Sequence, residues 1–328
     1  ATPKYLKSVD RHLLESMPKG AILVNTARKE VINEEDLMAV LGEREDLKYA
    51  SDIAAACQAE LVEKYGNRVF ATPKKQGAET AEANYNAAKA AGLPSVTLNM
   101  DAFSNDCRKA VIEEAKKMGV TFDLVVYSLA SPVRTDPETG VLYKSVLKPF
   151  GKPYTGMTVD MMTGELSEMS AEPANDEEAA ETVKVMGGED WQLWIEALLK
   201  EGLLSEGCKT VAYSYIGPAL SHAIYRDGTI GGAKKHLEKT ALELHSLMGE
   251  KIKGEAYVSV NKGLVTRSSA VIPIIPLYLS ILFKVMKEKG THEGCIEQME
   301  RLFAERLYTG GAVPVDEAHL IRIDDWEL

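Results

Sequence analysis

The sequence predicts an α/β protein, a mostly parallel sheet with helices on both faces. Two observations carry this: strand-length runs alternate with helical patterns along the whole chain, and those runs are continuously apolar. In order, strand patterns fall at Ile22–Asn25, Tyr49–Asp52, Val69–Thr72, Ser95–Asn99, Leu124–Ser128, Thr210–Tyr215 and Ala256–Val260. Helical patterns fall at 34–43, 79–91, 105–118, 188–203, 232–247, 274–289 and 292–307. Asp106–Lys117 reads as an amphipathic helix, and FDLVVYSLA after it as a buried strand. The Pro-, Gly- and acid-rich segment 131–187 is too long for an ordinary connection and is expected to be an active-site lid or a small subdomain. The longest apolar run, Ala270–Phe283, contains two prolines and is shorter than the roughly 20 residues a bilayer crossing needs, so a buried helix is the simpler reading.

At 328 residues and 45% hydrophobic content, the chain can bury a core in one large or two smaller domains. A net charge of −11 argues against a nucleic-acid partner, because phosphate binding needs a basic face. Cys57, Cys107, Cys208 and Cys295 form no CxxC and read as reduced, buried thiols. The six histidines show no HxxxH or HExxH spacing, so no metal site is expected. The opening ATPKYLKSVDRHL has no apolar signal region, and the expected location is cytoplasmic, without membrane insertion.

The most informative stretch is CKTVAYSYIGPALSHAIYRDGTIGGAK, residues 208–234, an apolar strand that runs into a Tyr-rich loop and a Gly-Gly helix start with a lysine. Nine helical steps of about 100° would put Tyr225 and Lys234 on opposite faces, so they can meet only if Tyr225 precedes the helix. A phenol is a poor acid near neutrality, and a nearby ammonium favours its ionisation. The alternative is an amphipathic core-edge tyrosine and a solvated helix lysine, and with 13 tyrosines in the chain it is the favoured reading on spacing alone.

From about 92 to 328 the chain resembles the NADH-dependent trans-2-enoyl-CoA reductases of the FabV type. The resemblance rests on Asp101-Ala102-Phe103-Ser104, FDLVVYSLASPVRTDPETG (122–140), KSVLKPFGK (144–152), SAEPANDEEAAETVKVMGGEDWQLWI (170–195), YSYIGPA (213–219) with Tyr225-x8-Lys234, and the run 258–298. The resemblance implies a Rossmann-like domain and NADH as cofactor. It implies reduction of the 2,3 double bond of an enoyl-CoA, or enoyl-ACP, in fatty acid metabolism. Tyr225 is then the proton donor, Lys234 holds the nicotinamide ribose and raises the acidity of Tyr225, and Tyr215 meets the substrate carbonyl. Asp101 and Ala102 match the adenine contact, and Leu129, Ala130, Leu264, Val265 and Thr266 the other dinucleotide contacts. Tyr213, on the same strand, serves as the internal control. Arg134, Lys144 and Lys148 are candidates for CoA phosphates, with solvated surface charge the favoured reading. Trp191 and Trp194 share a helix face and read as core rather than as a ligand platform.

Residues 1–85 resemble instead part of the cofactor domain of a D-3-phosphoglycerate dehydrogenase, of the D-2-hydroxyacid dehydrogenase family. The resemblance is carried by PKGAILVNTARKEVINEEDL (18–37), Ala50-Ser51-Asp52-Ile53 and ATPKKQGAET (71–80). It implies that Arg28 grips a substrate carboxylate, a task suited to a bidentate guanidinium. Where most of the wider family has a histidine after Thr-Pro, this chain has Lys74.

The two families meet near 81–93, giving expected domains of 1–90 and 91–328. Neither contributes its first strand and Gly-rich turn, and Gly187-Gly188, Gly231-Gly232 and Gly310-Gly311 lack the G-x-G-x-x-G spacing. Three readings stay open: the reductase, a hydroxyacid dehydrogenase fragment, and a hybrid that keeps its fold but cannot hold a dinucleotide. The reductase resemblance implies a monomer, whereas a sheet built from flanks alone exposes apolar edges and is expected to self-associate.

Overall fold

The computed structural model describes residues 6–25, 29–51, 57–71, 85–160, 163–264 and 275–325. The chain divides into two compact units, Ala1–Asn99 and Met100–Leu328.

The first unit has a three-stranded parallel sheet, β1 (Ile22–Asn25), β2 (Lys48–Ser51) and β3 (Val69–Ala71), in the order β1-β2-β3. The helix Glu34–Glu43 starts where the Asn33 side chain accepts from Asp36 N, and it buries Leu37, Val40 and Leu41 against Leu14, Leu47, Tyr49 and Leu61.

In the second unit the strands β4 (Phe122–Tyr127), β9 (Leu204–Ser214), β10 (Glu255–Val260) and β11 (Leu320–Arg322) are all parallel, in the order β11-β10-β9-β4. Both faces are covered, as the continuous apolar runs predict. On one face the helices Glu189–Lys200 and Thr229–Ile252 bring Trp191, Ile195, Leu237 and Leu244 onto Ala212, Val258 and Val260. On the other face Leu302, Leu307 and Val313 meet Val211, Tyr257 and Ile321. The buried Trp191 indole is satisfied by Thr210 Oγ1 (2.9 Å), whose own hydroxyl donates to Val125 O (2.9 Å) and so ties helix, β9 and β4 together. The helix Asn105–Met118 is capped by Ser104 and stopped by Gly119 in the left-handed region (φ 67°).

The segment after β4 contains two antiparallel hairpins, β5 (Val133–Thr135) with β6 (Leu142–Lys144) and β7 (Tyr154–Val159) with β8 (Leu166–Ala171), followed by the helix Asp176–Met186. The apolar run 270–283 lies in the helix Ile275–Lys289 from residue 275 onward, and among the described residues no helix is long and apolar enough to cross a membrane.

Three expectations need correction. Ser95–Asn99 is not a strand, because its backbone finds no sheet partner and Val96 is 50% exposed. Helix 232–247 begins earlier and ends later, at Thr229 and Ile252. Cys295 is exposed and Cys57 partly exposed, so only Cys107 and Cys208 are the buried thiols expected. Of the helix expected at 79–91, residues 85–90 are helical and 79–84 lie outside the described residues.

Candidate active site

The parallel sheet of the second unit puts the carboxyl ends of its strands on one edge. Tyr127 lies beside Ala212, Ser214 beside Val260, and Val260 beside Arg322. Ligands of open α/β sheets bind outside this edge, and Leu129-Ala130, Tyr215 and Leu264 all follow directly from it.

Tyr225 sits four residues before the helix Thr229–Ile252, as its spacing from Lys234 requires. Gly231 makes the approach feasible: its N–H donates to Tyr225 O (2.9 Å), and a Cβ there would collide with the Arg226 carbonyl. Thr229 fixes the helix start, its N–H donating to Lys148 O (3.0 Å) and its hydroxyl to Val146 O.

A cavity of about 90 Å³ is lined by Tyr215, Tyr225, Lys234, Glu238, Ala318 and Leu320, among others. It joins the expected proton donor Tyr225, the expected ribose ligand Lys234 and the expected substrate contact Tyr215. The Tyr215 and Tyr225 rings meet edge to face, 5.4 Å apart at 76°. Lys234 Nζ donates to Tyr213 O (3.4 Å). Burial pulls the Lys234 pKa down to about 8, opposed by the Glu238 charge. Burial also pushes the Tyr225 phenol up to about 12. This corrects one expectation, since no ammonium lowers the Tyr225 pKa: Lys234 turns to the Tyr213 carbonyl and the phenol remains in a desolvated pocket. Tyr213 is partly buried against the opposite core and contributes its carbonyl rather than its ring to Lys234.

A second, apolar cavity of about 290 Å³ lies along β4 and is lined by Ala102, Val111, Leu129, Trp194 and Leu198 together with the strand. Two of the expected dinucleotide contacts, Ala102 and Leu129, meet there. Asp101 is engaged locally, its side chain accepting from Phe103 N (3.0 Å) and its carbonyl from Ser104 Oγ (2.7 Å). Ala130 is exposed, Leu264 follows the end of β10, and Val265 and Thr266 lie outside the described residues, as do Arg28, Asp52 and Lys74.

The phosphate candidates separate. Arg134 is 1% exposed, ion-paired to Glu189 (2.6 Å) and bonded to Lys184 O (2.6 Å), so it is neither surface charge nor a free phosphate ligand. Lys148 pairs with Glu178, and Lys144 offers its backbone N–H to Glu181 (3.0 Å). Trp191 is core, while Trp194 is partly exposed, its indole donating to Ala102 O (3.1 Å).

One residue escaped the sequence reading. Tyr278, on the helix Ile275–Lys289, accepts from Tyr215 Oη (3.4 Å) in a cavity of about 210 Å³. The available signal was a stripe in which Tyr278, Leu282, Val285, Met286 and Lys289 fall on one helix face.

The family model described as the trans-2-enoyl-CoA reductase catalytic region matches residues 76–308. The chain belongs to the trans-2-enoyl-CoA reductase family. The match begins at residue 76, ahead of the boundary near 92 that the motifs indicate. The curated trans-2-enoyl-CoA reductase [NADH] of Treponema denticola is 70% identical over 243 residues, 74% of this chain and 60% of that protein. The enoyl-[acyl-carrier-protein] reductase [NADH] of Flavobacterium johnsoniae is 54% identical over 265 residues, 79% of this chain and 67% of its own. A crystal structure of the T. denticola reductase in complex with NAD superposes with a TM-score of 0.71 at 69% identity, covering 75% of this chain and 61% of that one. The chain therefore spans about 60% of the length of the T. denticola relative. The fold of the reductase part is Rossmann-type, like these relatives. Residues 1–73 match a different model, the D-isomer specific 2-hydroxyacid dehydrogenase, NAD binding domain, in agreement with the N-terminal resemblance.

Proposed function

We propose that this chain carries the catalytic core of an NADH-dependent reductase that saturates the 2,3 double bond of a trans-2-enoyl thioester. The observation that supports this best is the convergence of Tyr215, Tyr225 and Lys234 on one small cavity at the carboxyl edge of a parallel sheet.

These residues suit a dinucleotide. A lysine held at about 8 by burial, beside a cavity, is a donor kept out of water at a cost in stability, and a ribose hydroxyl would use it. Bound NADH would supply the hydride that reaches the β-carbon of the enoyl group. Negative charge then builds on the thioester oxygen, where the Tyr215 hydroxyl donates. Burial keeps Tyr225 protonated at neutral pH, and an enolate is a far stronger base than a phenolate, so the Tyr225 proton moves downhill to it. Leu129 and Ala102 would offer an apolar wall toward the adenosine end.

Both CoA and acyl carrier protein thioesters fit this reading, because relatives carry either name. None of Arg134, Lys144 and Lys148 is assigned to the CoA phosphates. Among the described residues β4 stands at the end of its sheet with Val126 38% exposed, so self-association along this edge is part of the proposal.

NADH fluorescence titration tests the reading. Micromolar affinity, at least tenfold weaker after Lys234→Met, is expected, and a folded protein that does not bind NADH refutes it.

A further inference from the structure

We propose that Tyr278 is a positioning residue that orients the Tyr215 hydroxyl toward the thioester carbonyl; this rests on the reductase reading above.

Tyr215 is the first residue beyond β9, and its ring is confined on several sides. Tyr225 meets it edge-on at 5.4 Å. Gly217 and Gly263 flank it, and a Cβ on Gly217 would lie 3.2 Å from Cε1, while one on Gly263 would lie 3.2 Å from both Cε2 and Oη. A side chain at either position would push against the ring, so glycines here let backbone approach both edges. Gly217 also takes φ 78°, where L residues are strained. The ring is thereby fixed, and rotation of the O–H bond is the freedom left to Tyr215.

The Tyr278 hydroxyl removes that freedom. Tyr215 Oη donates to Tyr278 Oη at 3.4 Å, and both side chains line the cavity whose wall continues through Leu282, Val285 and Met286. This separation is long for an O–H···O bond, for which about 2.7–2.8 Å is usual, so the pair is easily exchanged for a better acceptor. A phenol both donates and accepts. When a carbonyl reaches the Tyr215 hydroxyl, which borders both this cavity and the one shared with Tyr225 and Lys234, Tyr215 turns its hydrogen to the carbonyl and Tyr278 turns its own to Tyr215. Two aligned hydroxyls polarise one another, which strengthens the donation to the developing oxyanion. Burial pushes both phenols above their ordinary pKa, so both keep their protons at neutral pH.

The test is a double-mutant cycle on the full chain with Tyr215→Phe, Tyr278→Phe and the pair. NADH-dependent crotonyl-CoA reduction and butyryl-CoA binding, which needs no turnover, are read on all four proteins, and a shared melting temperature confirms folding. Tyr278→Phe alone is expected to lower kcat/KM by ~10-fold, mostly in kcat, with NADH affinity unchanged. In the Tyr215→Phe background it is expected to cost less than ~2-fold, because its effect passes through the hydroxyl already removed. A role in packing alone gives losses that multiply, and either that result or an unchanged Tyr278→Phe overturns the inference while leaving the reductase reading in place. If butyryl-CoA binds without turnover, the same cycle is read in Kd. A wild type that neither turns over crotonyl-CoA nor binds butyryl-CoA overturns the reductase reading and this inference with it.

Discussion

Replacing Lys234 by methionine should stabilise this protein, because the lysine is held charged where water is scarce. Burial moves its pKa from the ordinary 10.5 to about 8. At ~1.4 kcal/mol for each tenfold change in proton affinity, holding the ammonium there costs about 3 kcal/mol at pH 7. The long bond to Tyr213 O (3.4 Å) returns about 1 kcal/mol, so Lys234→Met is expected to gain about 2 kcal/mol at neutral pH. The pH dependence follows from the direction of the shift. Below 8 the lysine is protonated folded and unfolded, and the full penalty applies. Between 8 and 10.5 the unfolded chain binds the proton and the folded chain does not, so wild-type stability climbs with pH and the advantage of the variant shrinks. Urea unfolding of both proteins at pH 7 and pH 10, followed by the buried Trp191, reads this directly. A variant no more stable than wild type at pH 7, or an advantage that is the same at both pH values, refutes the reasoning. Stability gained while NADH binding is lost is the pattern of a residue retained for function.

Two further outcomes are expected. Arg108 (5% exposed) and Asp190 (1%) form a buried pair at 2.9 Å that also receives Tyr127 Oη, and Arg108→Ala strands the carboxylate; urea unfolding should show a loss of about 3–5 kcal/mol. β4, the end strand of its sheet among the described residues, should make the protein associate as its concentration rises, and Val126→Lys should suppress this in light scattering; a wild type that stays monomeric over the whole range contradicts it.

The strands that place the site were legible because they are apolar, β9 and β10 being buried on both sides while β4, expected to be buried, is only half-buried with Val126 38% exposed. Leu124–Ser128, Thr210–Tyr215 and Ala256–Val260 are continuous apolar runs, and each lies within one residue of β4, β9 or β10 at its carboxyl end. The hairpins were hidden by their composition: β8 is largely exposed, β7 buries only Thr158 fully, the two turn near Gly164 (φ 74°), and neither carries a continuous apolar run. Ser95–Asn99 has β-branched character without a neighbour, and propensity cannot supply the partner a strand needs. Tyr225 and Lys234 were found through their motif and the constraint that Tyr225 precede the helix. Their electrostatics were not, because whether Lys234 faces Tyr225 or the Tyr213 carbonyl is a tertiary fact. Tyr278 was lost inside a run read as core, since an apolar helix against a cavity and one against a packed interior have the same pattern.

The most direct test of the account is NADH-dependent reduction of crotonyl-CoA by the wild type and by Tyr225→Phe. Turnover by the wild type and a loss of ~10²–10⁴-fold in kcat in the variant, with NADH affinity unchanged, are expected. Equal turnover in the two proteins would remove Tyr225 as proton donor and contradict the assignment of this site.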